Sequence, residues 1–225
     1  MKLFNQQERR YEIQLKLKKQ KIVLDFDDTM VRSSEQIIAM INQRYNLNKT
    51  LEDLTDWGYT SIYPNMSTSE VTELYSSEQF FKEVQWNEGV RLFLTEFKND
   101  YKFVICSKGS QQNLNLKKLF LANWFNQMNI KDWEFVGLET NDDSDYNLNK
   151  SMIDFSDCVF CVDDNVNALL SINTPKKILI KNYSEYYWNE TPINREDVYI
   201  INSFYDLIEM CNFDKKLKKE GIIIG

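Results

Sequence analysis

Three aliphatic runs along the chain each end in a pair of polar residues. Asp25 and Asp27 close Lys21-Ile22-Val23-Leu24, Ser107 and Lys108 close Phe103-Val104-Ile105-Cys106, and Asp163 and Asp164 close Cys158-Val159-Phe160-Cys161-Val162. Carboxylates brought together can do three kinds of chemistry. One can attack an electrophile and form a covalent intermediate, and a neighbour can give and take a proton. As a group they repel one another, and so raise their pKa values or recruit a cation. Mg²⁺ suits such a set, because it prefers oxygen ligands and keeps water and substrate oxygens in its shell. A hydroxyl and an ammonium beside the acids add anion-binding capacity. The chain contains no histidine, which excludes Ser-His-Asp, Cys-His and His-metal mechanisms.

The positioning scaffold is read from composition and pattern. A chain of 225 residues that is 43% hydrophobic, with 14 Phe and 12 Tyr, has ample apolar material for one dominant core. Its net charge of −7 argues against stable binding of duplex nucleic acid, which draws on Lys and Arg; a small phosphorylated substrate needs only local positive charge. The four cysteines, Cys106, Cys158, Cys161 and Cys211, follow no secretory signal, and no apolar run approaches the roughly 20 residues of a membrane span. A cytoplasmic protein with reduced thiols is expected.

Short buried runs at 21–26, 101–106, 133–137, 158–162, 177–181 and 198–201 predict strands. Helical segments at 89–97, 117–125, 167–172 and 204–210 alternate with them. The expected fold class is α/β, a Rossmann-like, mainly parallel sheet, in which ligands gather beyond the carboxyl ends of the strands. Between Ser33 and Glu88 the spacing is helical throughout, and Ser67-Thr68-Ser69-Glu70 reads as a helix start. This predicts a small all-helical cap at 33–88 on a core of 21–32 and 89–212, with an N-terminal extension at 1–20 and a tail at 213–225. Cys158-Val159-Phe160-Cys161 lies inside a predicted strand, where residues three apart diverge to opposite faces, so a buried structural role is expected rather than a metal site. Asp28 and Thr29, Ser107, and the pair Asp163 and Asp164 can alternatively be read as helix caps.

Val23-Leu24-Asp25-Phe26-Asp27-Asp28-Thr29 resembles the first motif of the haloacid dehalogenase superfamily. The strand ending in Ser107 resembles the second, and Phe160-Cys161-Val162-Asp163-Asp164 the fourth. The resemblance runs from about residue 21 to 210. It implies a phosphomonoesterase with Asp25 as nucleophile and Asp27 as proton donor and acceptor. It also implies Mg²⁺ held by the Asp25 side chain, the Asp27 carbonyl and either Asp163 or Asp164. Ser107 and Lys108 would bind phosphate, as would a lysine: Lys150, just before the fourth motif, where most members carry it, or Lys117, on the helix after the second.

That second lysine position is the one used by the 5′(3′)-deoxyribonucleotidase family. The short helical cap, Phe80-Phe81 before Asn87-Glu88-Gly89-Val90, Cys106-Ser107-Lys108, and Lys150-Ser151 before Asp163-Asp164-Asn165 resemble its phage and Gram-positive bacterial members. The chain departs from the characterised nucleotidases in having Lys108-Gly109 where they carry proline. The resemblance implies a nucleoside monophosphate substrate, for which Trp57, Tyr59 and Phe81 in the cap are candidate contacts, since aromatic faces stack on bases; core packing is their other role. Sugar phosphates, other small metabolites and nucleic-acid termini are alternative substrates. A non-catalytic interaction protein, using residues 1–20 and 212–225 as arms, is the reading from another class. Oligomeric state is not specified by sequence.

Overall fold

Strand β1 (Gln20–Asp25) carries Ile22, Val23 and Leu24, apolar on both faces, and all three are buried, as a central strand of a two-sided sheet requires. In the computed structural model, which describes residues 19–140, 150–182 and 195–219, β1 is joined by β2 (Tyr101–Gly109), β3 (Trp133–Glu139), β4 (Cys158–Asp163), β5 (Lys176–Ile180) and β6 (Val198–Ile201). All pairings are parallel, in the order β3-β2-β1-β4-β5-β6. The chain builds outward from β1 on one side, then crosses to β4 and builds outward on the other. That reversal creates a crevice beyond the carboxyl ends of β1, β2 and β4. Asp25 pairs in register with Cys106, and Leu24 with Val162, so Asp25, Ser107 and Asp163 emerge together.

Side chains of β1 alternate between two cores. Ile22 and Leu24 pack with Phe103, Ile105, Phe160 and Val162 on one face, while Val23 joins Val104, Cys106, Cys161 and Leu179 on the other. The expected divergence of Cys158 and Cys161 does not occur: both lie in the second cluster as free thiols. The register between β1 and β4 slips, with Lys21 opposite Cys158 but Ile22 opposite Phe160. This bulge places Val159 and Phe160 on the same face and returns Cys161 to the side of Cys158. A buried structural role stands, by a different geometry.

Helices α1 (Ser33–Tyr45), α2 (Thr68–Tyr75) and α3 (Glu78–Glu83) lie between β1 and helix α4 (Val90–Phe97). Ser67 caps α2 in the expected box, accepting from the Glu70 amide at 3.3 Å while its own amide donates to Glu70 Oε2 at 2.9 Å. The way out to these helices and the way back run side by side. The Arg32 amide donates to the Gln85 carbonyl at 2.8 Å, and the Asn87 amide to that of Met30 at 2.9 Å. Ile37, Leu54, Leu74 and Phe80 belong to the same core as the sheet, so this helical segment has no separate core of its own.

Helix α5 (Gln111–Gln127) begins well before the predicted 117 because Ser110 caps it, accepting from the Asn113 amide. Helix α6 is Val166–Ser171, and α7 (Phe204–Lys219) extends well past the predicted 210. Gly89, at the head of α4, has φ +80, and a Cβ there would lie 2.8 Å from the Tyr205 amide nitrogen; both the conformation and the close approach of α7 require glycine. Among the described residues no helix is long and apolar enough to cross a membrane.

Candidate active site

After β1 the chain makes one tight turn, with the amides of Met30 and Val31 returning to the Phe26 carbonyl. Asp28 takes φ +52 to do so, a left-handed conformation that Asp tolerates better than most residues. The turn aims three carboxylates at the crevice. Asp25 is buried, and its Oδ1 accepts from Lys150 Nζ at 2.5 Å. The same ammonium reaches Asp163 Oδ2 at 2.5 Å. The other oxygen of Asp163 accepts from the Asn165 amide at 2.9 Å. Asp164 is tied to the turn by Thr29, whose hydroxyl donates to Asp164 Oδ1 at 3.1 Å and accepts from the Asp164 amide at 2.9 Å. One oxygen from each of Asp25, Asp163 and Asp164 lies within 4.8 Å of the other two. An all-oxygen, triply acidic set of this size fits a hard divalent cation such as Mg²⁺.

Asp27 is held from two sides. Ser33, in the first turn of α1, donates to its Oδ1 at 2.7 Å. From the sheet side Ser107 donates to Oδ2 at 3.3 Å, and Lys117 bonds to the same oxygen. Lys117, 1% exposed, also reaches Ser107 Oγ at 2.9 Å and the Lys108 carbonyl at 3.1 Å, so its three ammonium hydrogens have three acceptors.

The electrostatics follow from burial. Loss of solvent, aided by the charges of Asp163 and Asp27, pushes the Asp25 carboxyl up to about 7 against the pull of Lys150. Burial likewise raises Asp28 to about 7, and burial together with Asp163 puts Asp164 well above the carboxylate range. Burial opposes the charge on Lys150, yet Asp163 and Asp25 outweigh it and hold that ammonium well above its ordinary pKa.

A cavity of about 1000 Å³ opens over these groups, lined by the acids, Lys108, Lys117 and Lys150, and residues of the helical segment including Trp57, Thr72 and Tyr75. Solved structures with this architecture are known. A haloacid dehalogenase-like hydrolase from Streptococcus pneumoniae superposes with a TM-score of 0.54 at 15% identity, over 85% of this chain and 98% of that one. The Bacillus subtilis HAD-hydrolase YfnB, bound to magnesium, gives 0.51 at 12% identity over 87% and 100% of the two chains. A Deinococcus radiodurans HAD family hydrolase with bound phosphate and sodium gives 0.52 at 12% identity over 87% and 96%. This chain has the haloacid dehalogenase-like fold. No protein-family model and no curated protein sequence matches it.

Within this haloacid dehalogenase-like fold, Asp25, Asp27, Ser107, Lys117, Lys150, Asp163 and Asp164 converge, Lys150 bonding Asp25 and Asp163 while Lys117 bonds Asp27 and Ser107. Lys108 contributes a carbonyl to Lys117 and lines the cavity with an exposed side chain. Trp57, 57% exposed, also lines it. Tyr59 also lines it but is buried, its hydroxyl bonded to Ser34 behind the wall and to Tyr75 on it. Phe81 does not line the cavity; it packs against Phe26, Phe80 and Phe120. The capping alternatives for Ser107, Asp163 and Asp164 give way, since Ser110 caps α5 and Asn165 caps α6; Asp28 does serve the start of α1, accepting from the Ser34 amide at 2.8 Å. The expectations for residues 1–18 and for the tail beyond 219 lie outside the described residues.

Four residues that are not among the sequence candidates for the site also hold its turn: Ser33, Ser34, Asn87 and Asn182. Asn87 donates to the carbonyls of Asp28 and Thr29 at 2.9 Å each, and Asn182 to that of Asp28, pinning the turn from two distant segments. Ser33-Ser34, immediately after the acidic motif and at a helix start, carries a local signal; Asn182 carries none, and the segment of Asn87 does not point to this turn.

Proposed function

We propose that the protein is a Mg²⁺-dependent phosphomonoesterase working through an aspartyl-phosphate. The observation that carries the reading is the Asp25–Lys150–Asp163 ion cluster beside the separately held Asp27. Two carboxylates with distinct environments support a division of labour between nucleophile and acid. With Lys150 holding Oδ1 of Asp25, the second oxygen attacks phosphorus while the bond to the leaving oxygen breaks. Asp27 gives that oxygen a proton. Water then attacks the phosphoryl group, Asp27 takes its proton, and the bond to Asp25 breaks to release inorganic phosphate.

Asp25, Asp164 and the carbonyl of Asp27 would hold the Mg²⁺, which supplies charge neutralisation for the phosphoryl oxygens. Asp163 bonds the Lys150 ammonium and the Asn165 amide, and is assigned the role of counter-charge that keeps Lys150 on Asp25. Lys117 and Ser107 would receive the transferring phosphoryl group. The broader support is the fold shared with hydrolases, one bound to magnesium and one to phosphate.

For substrate, the reading favours nucleoside monophosphates: the cavity of about 1000 Å³ has room for one, and Trp57, an aromatic residue 57% exposed, lies on its wall. A cytoplasmic location accompanies this reading. Phosphate release from a panel of nucleotides and sugar phosphates tests it. Activity should require Mg²⁺, disappear on chelation and disappear in Asp25→Asn; preference for a sugar phosphate would overturn the nucleotide assignment, and full activity of Asp25→Asn the covalent mechanism.

A further inference from the structure

Asp28 is a buried carboxylate, 4% exposed, that the proposed reaction does not use. Its side chain begins a line of hydrogen bonds leading back to the cavity. Ser34 donates its hydroxyl to Asp28 Oδ2 at 2.5 Å. Tyr59 donates to Ser34 Oγ at 3.3 Å, and the Tyr59 and Tyr75 hydroxyls are 2.7 Å apart. Tyr59 sits at φ +57, a conformation that costs an aromatic residue and persists only where surrounding contacts impose it. Burial raises both phenols above their ordinary range, so each keeps its proton.

A hydroxyl has one hydrogen to give. Ser34 gives its hydrogen to Asp28, and Tyr59 gives its own to Ser34. The short Tyr59–Tyr75 contact therefore needs the hydrogen of Tyr75. The chain is polarised from end to end, and the Tyr75 hydroxyl is left with accepting capacity only. Tyr75 closes α2, where its carbonyl accepts from Asn113 Nδ2 at 2.7 Å, and it lines the same cavity as Asp25, Asp27 and Lys150.

We propose that Tyr75 is a specificity-determining contact for the leaving group, an acceptor polarised by the Tyr59–Ser34–Asp28 chain and selective for phosphomonoesters whose leaving group carries a hydroxyl or amine donor. Ser34, 1% exposed, lies behind the wall and acts as a positioning residue that keeps the polarity of the chain. The assignment rests on the phosphomonoesterase reading and adds to it a chemical demand on the substrate.

The test is the ratio of kcat/KM for glycerol 3-phosphate over propyl phosphate, which lacks the hydroxyls, measured with Mg²⁺ in the wild-type protein and in Tyr75→Phe and Ser34→Ala. The matched nucleotide pair is a 2′-deoxynucleoside 5′-monophosphate and its 2′,3′-dideoxy counterpart. The wild-type ratio should favour the hydroxyl-bearing member of at least one pair by roughly tenfold. Tyr75→Phe should bring that ratio close to unity, and Ser34→Ala should lower it part of the way. Thermal melting verifies that each variant is folded, and Tyr59→Phe, which cuts the chain one link further on, replaces any that is not. No preference in the wild type for either pair, or a ratio unmoved by loss of the Tyr75 hydroxyl, overturns the assignment and leaves the phosphomonoesterase reading intact. A wild-type protein inert toward every phosphomonoester overturns both.

Discussion

The ammonium of Lys150 stands 2.5 Å from Oδ1 of Asp25, and both side chains are buried. With Asp163 on its other side at the same distance, Lys150 is the cation that lets two acids share a dry site. Breaking a buried pair by removing one partner leaves uncompensated charge, at a cost of about 3–5 kcal/mol. Lys150→Met should therefore melt well below the wild type at neutral pH, and more so without Mg²⁺. Phosphate release should fall roughly a hundredfold or more, because Asp25 loses the group that holds its Oδ1 and orients its attacking oxygen. Calorimetry and steady-state kinetics on the same preparation check both effects.

The raised acids predict how metal-free stability follows pH. Asp25 and Asp28 titrate near 7 in the folded chain, against an ordinary value of 3.8. Acids raised in the folded state favour folding below their unfolded pKa, and that advantage is lost as pH rises through the folded value. In chelator, the melting temperature should fall between about pH 4 and about pH 7. Lys150, raised above its ordinary value, stays charged across this window. Glu70, held near 2 by Ser67 and Tyr45, also stays charged and loses its contribution only in stronger acid. Mg²⁺, which binds the deprotonated acids, should flatten the decline; a melting temperature that rises with pH in chelator would contradict the burial argument.

Asp163 and Asp164 should separate in metal affinity. Asp164→Asn removes a proposed ligand and should raise the Mg²⁺ requirement by more than about a hundredfold, whereas Asp163→Asn should raise it by about tenfold through its partner Lys150. Mg²⁺ titrations of activity, or of thermal stability, distinguish the two.

Lys117 contacts Asp27, Ser107 and the Lys108 carbonyl. Lys117→Met should lower kcat by roughly a hundredfold or more and weaken inhibition by inorganic phosphate, and Lys150 should not compensate, since it serves Asp25. Phosphate inhibition unchanged in Lys117→Met would remove Lys117 from the anion site.

The strand ends were readable because a two-sided parallel sheet demands apolar runs, and the residue types that interrupt Ile22-Val23-Leu24 and Cys161-Val162 stand out against them. Ser67 and Glu70 declared a helix start through a local box. The contacts that fix the active-site turn were not readable. Asn87 and Asn182 reach it from 59 and 154 positions away, and nothing in their own neighbourhoods points to those contacts. The bulge in β4 escaped for the same reason, since it is a matter of register against β1. Phe81 takes the second of the two roles open to it by residue type, packing against Phe26 and Phe120.

The account centres on Asp25 taking the phosphoryl group. Rapid acid quench of the Mg²⁺-loaded protein during turnover of a phosphomonoester, followed by peptide mass mapping, reads that step directly. A phosphoryl group on the peptide containing Asp25, absent from Asp25→Asn, is the predicted result; turnover with no modification of Asp25, or modification of another residue in its place, would contradict it.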